Sequence, residues 1–341
     1  MATTEETAKG RSTREVLTWS RTTIDPTLRA VISDLPAAMQ HMIGYHFGWW
    51  DERGRPLEGH GGKAIRPALT LLAAEAVGGD PVTAVPAAVA VELVHNFSLL
   101  HDDVMDADAT RRHRPTTWRV FGNNAAILAG DTLLTLAFGV LGRSTVSVHR
   151  LHAAVQDLLG GQSADMAFER RADVALSECR NMATAKTGAL LSCSCALGAA
   201  LGGGGSAQIE HLGRFGEQMG LAFQFVDDLL GIWGDPAVTG KPVYSDLRNR
   251  KKSLPVVAAL TSGTAAGDEL GRLYHREQPF CDSDLIHAAE LIDLAGGRAW
   301  SRAEADRLLA EALKHLQSAG LSVRPAAELE ALARLITQRD H

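Results

Sequence analysis

The stretch Val91-Glu92-Leu93-Val94-His95-Asn96-Phe97-Ser98-Leu99-Leu100-His101-Asp102-Asp103-Val104-Met105-Asp106 decides how this chain reads. From Val85 to Met105 the sequence is apolar nearly all round, as a helix at the centre of a bundle should be, and it ends in a group of carboxylates. Positions i and i+4 of a helix share a face, so Asp102 and Asp106 project together. Like charges so placed cost an isolated helix about 0.2–0.5 kcal/mol. Carboxylates emerging from an apolar segment also need a neutralising partner, and clustered hard oxygen donors suit Mg²⁺. A second cluster, Asp227-Asp228-Leu229-Leu230-Gly231, closes another apolar run, Gly220 to Val226. Two such clusters on separate helices can hold several metal ions around one highly charged ligand.

Composition sets the class around these clusters. The chain has 341 residues, of which 45% are hydrophobic and only 5% aromatic, enough for a large core and biased to helix over strand. A net charge of -6 argues against nucleic acid as a partner, so any anionic ligand must be held by local basic groups. The four cysteines, Cys179, Cys193, Cys195 and Cys281, lack zinc-site spacing and read as buried free thiols of a reducing, cytoplasmic setting. Met1 to Arg14 is polar and mixed in charge, without the apolar core of a signal peptide, and reads as a loose tail. Thr187 to Ile209 is uncharged, but its second half ends in Gly202-Gly203-Gly204-Gly205. It reads as a core helix running into a glycine loop, so no integral membrane segment is expected.

Helix signals fill the rest. Asp25-Pro26 and Asp34-Leu35-Pro36 read as helix starts. Gly59 to Gly62 breaks the chain before a helix over Ala64–Val77, and Gly130-Asp131 opens another over Leu133–Leu141. Ala207 to Trp233 reads as a helix broken by Gly213, Gly216 and Gly220, and Ser253 caps a later start. Strand alternation is absent. The expectation is one all-α domain over residues 15–341, a helical bundle.

Basic residues accompany the acids. Lys63 and Arg66 lie one turn apart at a helix start, a good place for a diphosphate. Arg111-Arg112-His113-Arg114 follows the first acidic cluster, Lys186-Thr187 lies between the clusters, and Lys241, Arg250, Lys251 and Lys252 follow the second. A basic pair alone is an ordinary solvated surface feature, and His95 alone an ordinary core histidine. Acids and bases alternating around buried helices point instead to metal-bridged phosphate on one side and direct phosphate clamping on the other.

The whole order resembles the trans-isoprenyl diphosphate synthases. The run Gly-Gly-Lys-x-x-Arg-Pro, His, Asp-Asp-x-x-Asp, Arg-Arg, Lys-Thr, Gln-x-x-Asp-Asp, Gly-Lys and a final Asp with Lys is present in sequence from about Gly61 to Leu260. The resemblance implies an isoprenoid-synthase type I fold with a central apolar cavity, a homodimer, and Mg²⁺-dependent condensation of isopentenyl diphosphate with an allylic diphosphate. By the same resemblance Asp102 and Asp106 hold two Mg²⁺ and Asp227 a third, with Asp103 and Asp228 supporting them. Arg111, Lys186, Lys241 and Lys251 hold the allylic diphosphate. Lys63, Arg66, His95 and Arg112 hold that of isopentenyl diphosphate, and Thr187 and Gln224 lie near the reacting carbons.

Two departures stand out. Gly231 occupies the place where many relatives carry a third Asp, leaving Asp227 and Asp228 to serve that cluster. Ala64 replaces a basic residue common after Gly-Gly-Lys, and Arg114 is the candidate to compensate. Phe97 lies five residues before Asp102, roughly 7.5 Å deeper by helix rise, where a bulky ring floors the path of a growing chain; Ser98 beside it is small. The first acidic cluster lacks two extra residues, which resembles synthases making a twenty-carbon product and implies geranylgeranyl diphosphate over farnesyl diphosphate. The alternatives are a class I terpene cyclase acting on a single prenyl diphosphate, and a non-catalytic subunit of a heteromeric synthase. A cyclase has no use for the second set of cations, and a non-catalytic subunit none for the paired acids.

Overall fold

The computed structural model describes residues 10–57, 62–142, 144–171, 173–236 and 242–338. Lys241, Gly59 to Gly61 and the first nine residues of the expected tail lie outside them. In chain order the helices are α1 (Thr13–Ser33), α2 (Ala37–His46), α3 (Ile65–Ala76), α4 (Val85–Met105), α5 (Thr117–Phe121), α6 (Asn123–Val140), α7 (Thr145–Glu169) and α8 (Leu176–Ala183). A π-helical turn, Thr184–Gly188, leads into α9 (Ala189–Leu201) and α10 (Ser206–Trp233). Then come α11 (Ser245–Arg248), α12 (Leu254–Leu260), α13 (Ala265–Tyr274), α14 (Asp282–Leu294), α15 (Gly297–Ser318) and α16 (Val323–Thr337). The fold is all-α. Strand is confined, among the described residues, to the two-residue pair β1 (Thr110–Arg111) and β2 (Arg114–Pro115) and one bridge between Trp50 and Pro56. The chain divides into two compact units, the first made of Met1–His152, Cys193–Gly213 and His315–Leu332, the second of the remainder.

In the first unit α4 is the central helix, packed by α3 and α6. Leu69, Leu71, Leu72, Leu93 and Leu100 are wholly buried there. It is also the one helix among the described residues long and apolar enough to cross a membrane, and most of it is buried against its neighbours. Its boundaries match the apolar run read from sequence, because a segment hydrophobic on every face can only be satisfied by being surrounded. Other boundaries differ. Residue 13 already opens α1, inside the stretch expected to be tail, through a Ser12–Glu15 capping box. Arg11 ties that start down with ion pairs of 2.6 Å to Glu75 and to Glu328.

Pro26 does not start a helix but sits inside α1. The buried stripe Val16, Ser20, Ile24, Leu28, Ile32 runs at i+4 spacing across the proline, and this shared burial outweighs the break, about 3 kcal/mol, that proline imposes. Helix α6 begins at Asn123, ten residues before the expected start, so Gly130 and Asp131 are interior. Gly130 is there for contact: a Cβ would lie 2.3 Å from the His101 ring.

The second unit repeats the lesson along α10. Its glycines do not break it. A Cβ at Gly216 would lie 2.4 Å from the Leu191 carbonyl oxygen, and one at Gly220 2.9 Å from the Gly188 Cα. These are the points where backbones touch. Around them Cys179, Met182, Ala222, Phe225, Leu254 and Leu308 form one core cluster, and Leu247, Leu270, Leu285 and Ile292 belong to another. Cys179, Cys193 and Cys195 are buried thiols as expected, whereas Cys281 is exposed. It precedes the first turn of α14, with its Sγ 3.0 Å from Asp284 Oδ2.

Replacing Gly216 by Ala forces a methyl group into a backbone contact and should cost about 1–3 kcal/mol. Gly205, with nothing near its Cβ position, is the control. Urea unfolding of both variants checks this; an unchanged midpoint for Gly216→Ala would mean the helices part without penalty.

Candidate active site

In the first unit the site is built on the C-terminal half of α4. Asp102 is half-buried and Asp106, which caps the helix, is exposed. The Asp106 amide donates to the Asp102 carbonyl at 2.8 Å, fixing the i, i+4 relation of the pair. Both carboxylates stand at the negative end of the helix dipole, which disfavours them unless a cation is bound nearby. Asp103 points elsewhere: it is 1% exposed and accepts from the Arg111 guanidinium, 2.6 Å to Nη2 and 2.7 Å to Nε. Burial works against the charge on Arg111, but the Asp103 bond and charge hold its pKa above the usual arginine value.

Arg111 and Arg114 face each other across the β1–β2 hairpin, whose tip is Arg112-His113. Both tip residues take positive φ (51° and 62°), a strained conformation for side-chain-bearing residues that aims Arg112 away from the strand. The Arg112 guanidinium lies against Gly62, where a Cβ would meet Nη2 at 2.4 Å. The carbonyl of Gly62 accepts from Arg21. Arg114 does not compensate for Ala64. It stacks on the Tyr45 ring, 4.3 Å from its centroid, and donates to the carbonyls of Tyr45 and Trp50, so its donors clamp the end of α2.

In the first turn of α3, Arg66 has a buried Nε with no hydrogen-bond partner, and burial lowers its pKa to about 10 against the pull of Glu92. His95 is held well below its usual pKa, first by burial, then by Arg66, Arg112, Arg111 and His46. Cations gathered this closely are unfavourable by themselves, and an anion relieves them. The nearby acid is Glu92, 7% exposed, which accepts from Asn96, which in turn accepts from His46 at 3.1 Å. Lys63 is exposed at the entry to α3. Phe97 is 3% exposed, with its ring edge-on to His101 at 4.8 Å, and the Ser98 hydroxyl donates to the His95 carbonyl.

The second unit carries its own polar chain. The Thr187 hydroxyl donates to Gln224 Oε1 at 2.6 Å, and Gln224 Nε2 donates to Asp228 Oδ1 at 2.7 Å. The other Asp228 oxygen accepts from the Leu254 amide at 2.8 Å, so this carboxylate, rather than the Ser253 hydroxyl, caps α12. Burial pushes Asp228 up to about 7. Asp227, the preceding residue, is exposed. Lys186 stands in the π-helical turn and pairs with Asp165 at 2.7 Å. Burial opposes the charge on Lys251, but Asp246, Asp165, Asp228 and Asp227 together hold its pKa above the ordinary lysine value.

Over residues 49–292 the sequence matches the family described as polyprenyl synthetase. The chain belongs to that family, the trans-isoprenyl diphosphate synthases. It is 49% identical over 337 residues to a protein of Mycobacterium tuberculosis named (2E,6E)-farnesyl diphosphate synthase, covering 96% of this chain and 94% of that one. A polyprenyl synthetase structure from Streptomyces coelicolor superposes with a TM-score of 0.88 at 47% identity, over 94% of this chain and 98% of the other. A geranylgeranyl pyrophosphate synthase from Corynebacterium glutamicum, complexed with isoprenyl diphosphate and magnesium, superposes with a TM-score of 0.83 at 26% identity, over 97% and 100%.

Within this polyprenyl synthetase the supporting residues Glu92, His46 and Asp165 were not read from the sequence. Each looks ordinary in its own segment, and only its neighbours in space give it a part. The donor set suits Mg²⁺, a hard cation commonly bound through one or two carboxylates, here those at helix ends. Such a set leaves coordination positions for diphosphate oxygens and water.

His46 gives a pH test. Burial and the nearby arginines lower its pKa from 6.5 to about 3, so the folded protein keeps it neutral while the unfolded chain takes up a proton. Its contribution to stability is complete above pH 6.5 and is lost as pH falls from there toward 3. His46→Gln should therefore lose about 1 kcal/mol less stability than the native protein between pH 7.5 and pH 5.5. Denaturant unfolding at the two values checks it; equal losses would count against a neutral His46.

Proposed function

We propose that this protein condenses isopentenyl diphosphate with an allylic diphosphate, with Mg²⁺ bound, to give geranylgeranyl diphosphate. One observation carries the reading. Helix α4 presents a cluster of cations around His95 and, two turns further on, the acid pair Asp102 and Asp106. Handling one diphosphate through metal needs the acids alone, whereas two diphosphates in one turnover need both groups.

In this reading Asp102, Asp106 and Asp227 hold three Mg²⁺, which when bound stabilise the charge of the departing diphosphate. Arg111, oriented by Asp103, is assigned to the allylic diphosphate, as are Lys186, oriented by Asp165, and Lys251. Lys63, Arg66, His95 and Arg112 are assigned to isopentenyl diphosphate, the buried Arg66 Nε supplying a donor that the protein itself leaves unused. The allylic C–O bond breaks with its electron pair going to diphosphate. The double bond of isopentenyl diphosphate then forms the new C–C bond, and the departed diphosphate takes a proton from the adjacent carbon. The Thr187 hydroxyl and the Gln224 amide oxygen, joined by a hydrogen bond, are assigned as dipoles for the cationic carbons. The apolar wall around Phe97 keeps water from the cation.

Farnesyl diphosphate is the second reading, favoured by the name of the Mycobacterium tuberculosis relative. A homodimer and a reducing, cytoplasmic setting belong to the same proposal. Helix α6 leaves Ile127 and Leu128 exposed at 40% and 57%, an apolar face suited to a second copy, and three thiols are buried without disulfides.

Purified protein given dimethylallyl, geranyl or farnesyl diphosphate plus isopentenyl diphosphate should form geranylgeranyl diphosphate with Mg²⁺ and nothing after EDTA. A hydrocarbon formed from the allylic substrate alone would instead establish cyclisation. Phe97→Ala should lengthen the product by one or more isoprene units, read by chromatography after dephosphorylation; an unchanged distribution would place the floor at another residue.

A further inference from the structure

Gly62 is held from two sides. Its α-carbon lies against Arg112, where a Cβ would meet Cζ at 2.8 Å and Nη1 at 3.1 Å, so the position has no room for a side chain. Its carbonyl accepts from Nη2 of Arg21, a residue of α1 that lies 41 positions earlier in the chain. The residues after Gly62 open the cation cluster. Lys63 is exposed, Ala64 is buried at a positive φ of 51°, and Arg66 stands in the first turn of α3. Ala64 leaves this loop without a base beside Lys63, and Arg114 is committed to the carbonyls of Tyr45 and Trp50. Arg21 is a cation that the motif itself does not contain.

Helix α1 delivers that cation with little freedom. The buried stripe Val16, Ser20, Ile24, Leu28 and Ile32 fixes the face that α1 turns inward. Ion pairs from Arg11 to Glu75 of α3 and to Glu328 of α16 fix where the helix starts. Arg21, next to the buried Ser20, is therefore half-buried at the edge of the stripe. Among the described residues no carboxylate pairs with it, and its bond to Gly62 engages Nη2 alone. Burial lowers the Arg112 pKa, and the charge of Arg21 adds to that fall. A guanidinium set beside another without an acid of its own is unfavourable until an anion arrives.

We propose that Arg21 is a positioning residue for isopentenyl diphosphate, holding the Gly62 carbonyl so that Lys63 and Arg112 meet the same diphosphate. This rests on the elongation reading above and deepens it. The bond to Gly62 does two things. It anchors the loop just before Lys63, and with it the glycine surface on which the Arg112 guanidinium rests. It also occupies a carbonyl oxygen whose partial negative charge would otherwise stand beside an anion site. Arg21 brings a full positive charge to that place, so helix α1 adds to the field that receives the diphosphate.

The test combines calorimetric binding of isopentenyl diphosphate to the intact protein, without allylic substrate, with steady-state kinetics on both substrates. Arg21→Met removes the charge and the donor while keeping a good helix former. It should weaken isopentenyl diphosphate binding and raise the KM for that substrate about tenfold. Over the same change kcat and the KM for the allylic diphosphate should move by less than about twofold. Arg21→Lys keeps a charge and a donor and should recover most of the lost affinity. Arg14→Met removes an exposed charge from the first turn of the same helix and should bind as the native protein does. Native-like binding by Arg21→Met would overturn the proposal, as would a Lys variant no better than Met. An equal loss in Arg14→Met, or one shared by both KM values, would also overturn it, since either marks a general disturbance. Thermal unfolding checks that Arg21→Met folds, and Arg21→Gln replaces it if it does not. A native protein that binds no isopentenyl diphosphate would refute the elongation reading instead, so the two failures are distinguishable.

Discussion

The carboxylates at the end of α4 face a constraint that governs the first unit. A helix buried on every face must carry its polar groups at its ends, and here the C-terminal end, already the negative pole, receives Asp102, Asp103 and Asp106. Asp103 is buried and paired with Arg111. Asp102 is half-buried and Asp106 exposed, at a helix end where a divalent cation is a favourable counter-charge. In the same unit burial works against the charge on Arg66, Arg112 and His95; Arg66 and Arg112 lower His95 further, and Glu92 offsets the fall at both arginines.

The second unit uses the same division of labour. In each Asp-Asp pair the second residue is buried and hydrogen-bonded, Asp103 to Arg111 and Asp228 to Gln224 and the Leu254 amide. The first residue of each pair is the one turned outward. Consecutive positions on a helix diverge by about 100°, since 3.6 residues make a turn, so one of two adjacent acids can serve the scaffold while the other serves a ligand. Lys186 gains its place differently. It stands on a π-helical turn, a local widening of the helix, against Gly161, whose missing side chain lets the Lys186 backbone approach.

Glycine sets distances in both units. Gly130 makes room for the His101 ring, Gly62 for the Arg112 guanidinium, and Gly231 for the Asp246 carboxylate. Read along the chain, these glycines resemble breaks, and Gly130, Gly216 and Gly220 were read so. In the structure each lies within or beside an element where another group needs the space of a Cβ. The error is instructive, because a glycine's cost to a helix, about 1 kcal/mol, is readily outweighed by a close helix–helix contact.

The sequence by itself determined the helical class, the extent of α4 and the two acidic clusters. These depend on hydrophobic pattern and on i, i+4 spacing, which are local properties of the chain. It also determined the family, through the order of its motifs. The tertiary structure decided which acid of each pair is buried, that Arg114 clamps α2 in place of serving Ala64's position, and that Pro26 lies within a helix. It decided as well that Asp246 occupies the notch at Gly231. None of these could be local, because each depends on a partner far away in sequence. Burial, ion pairing and the room left by a missing Cβ exist only once that partner has arrived.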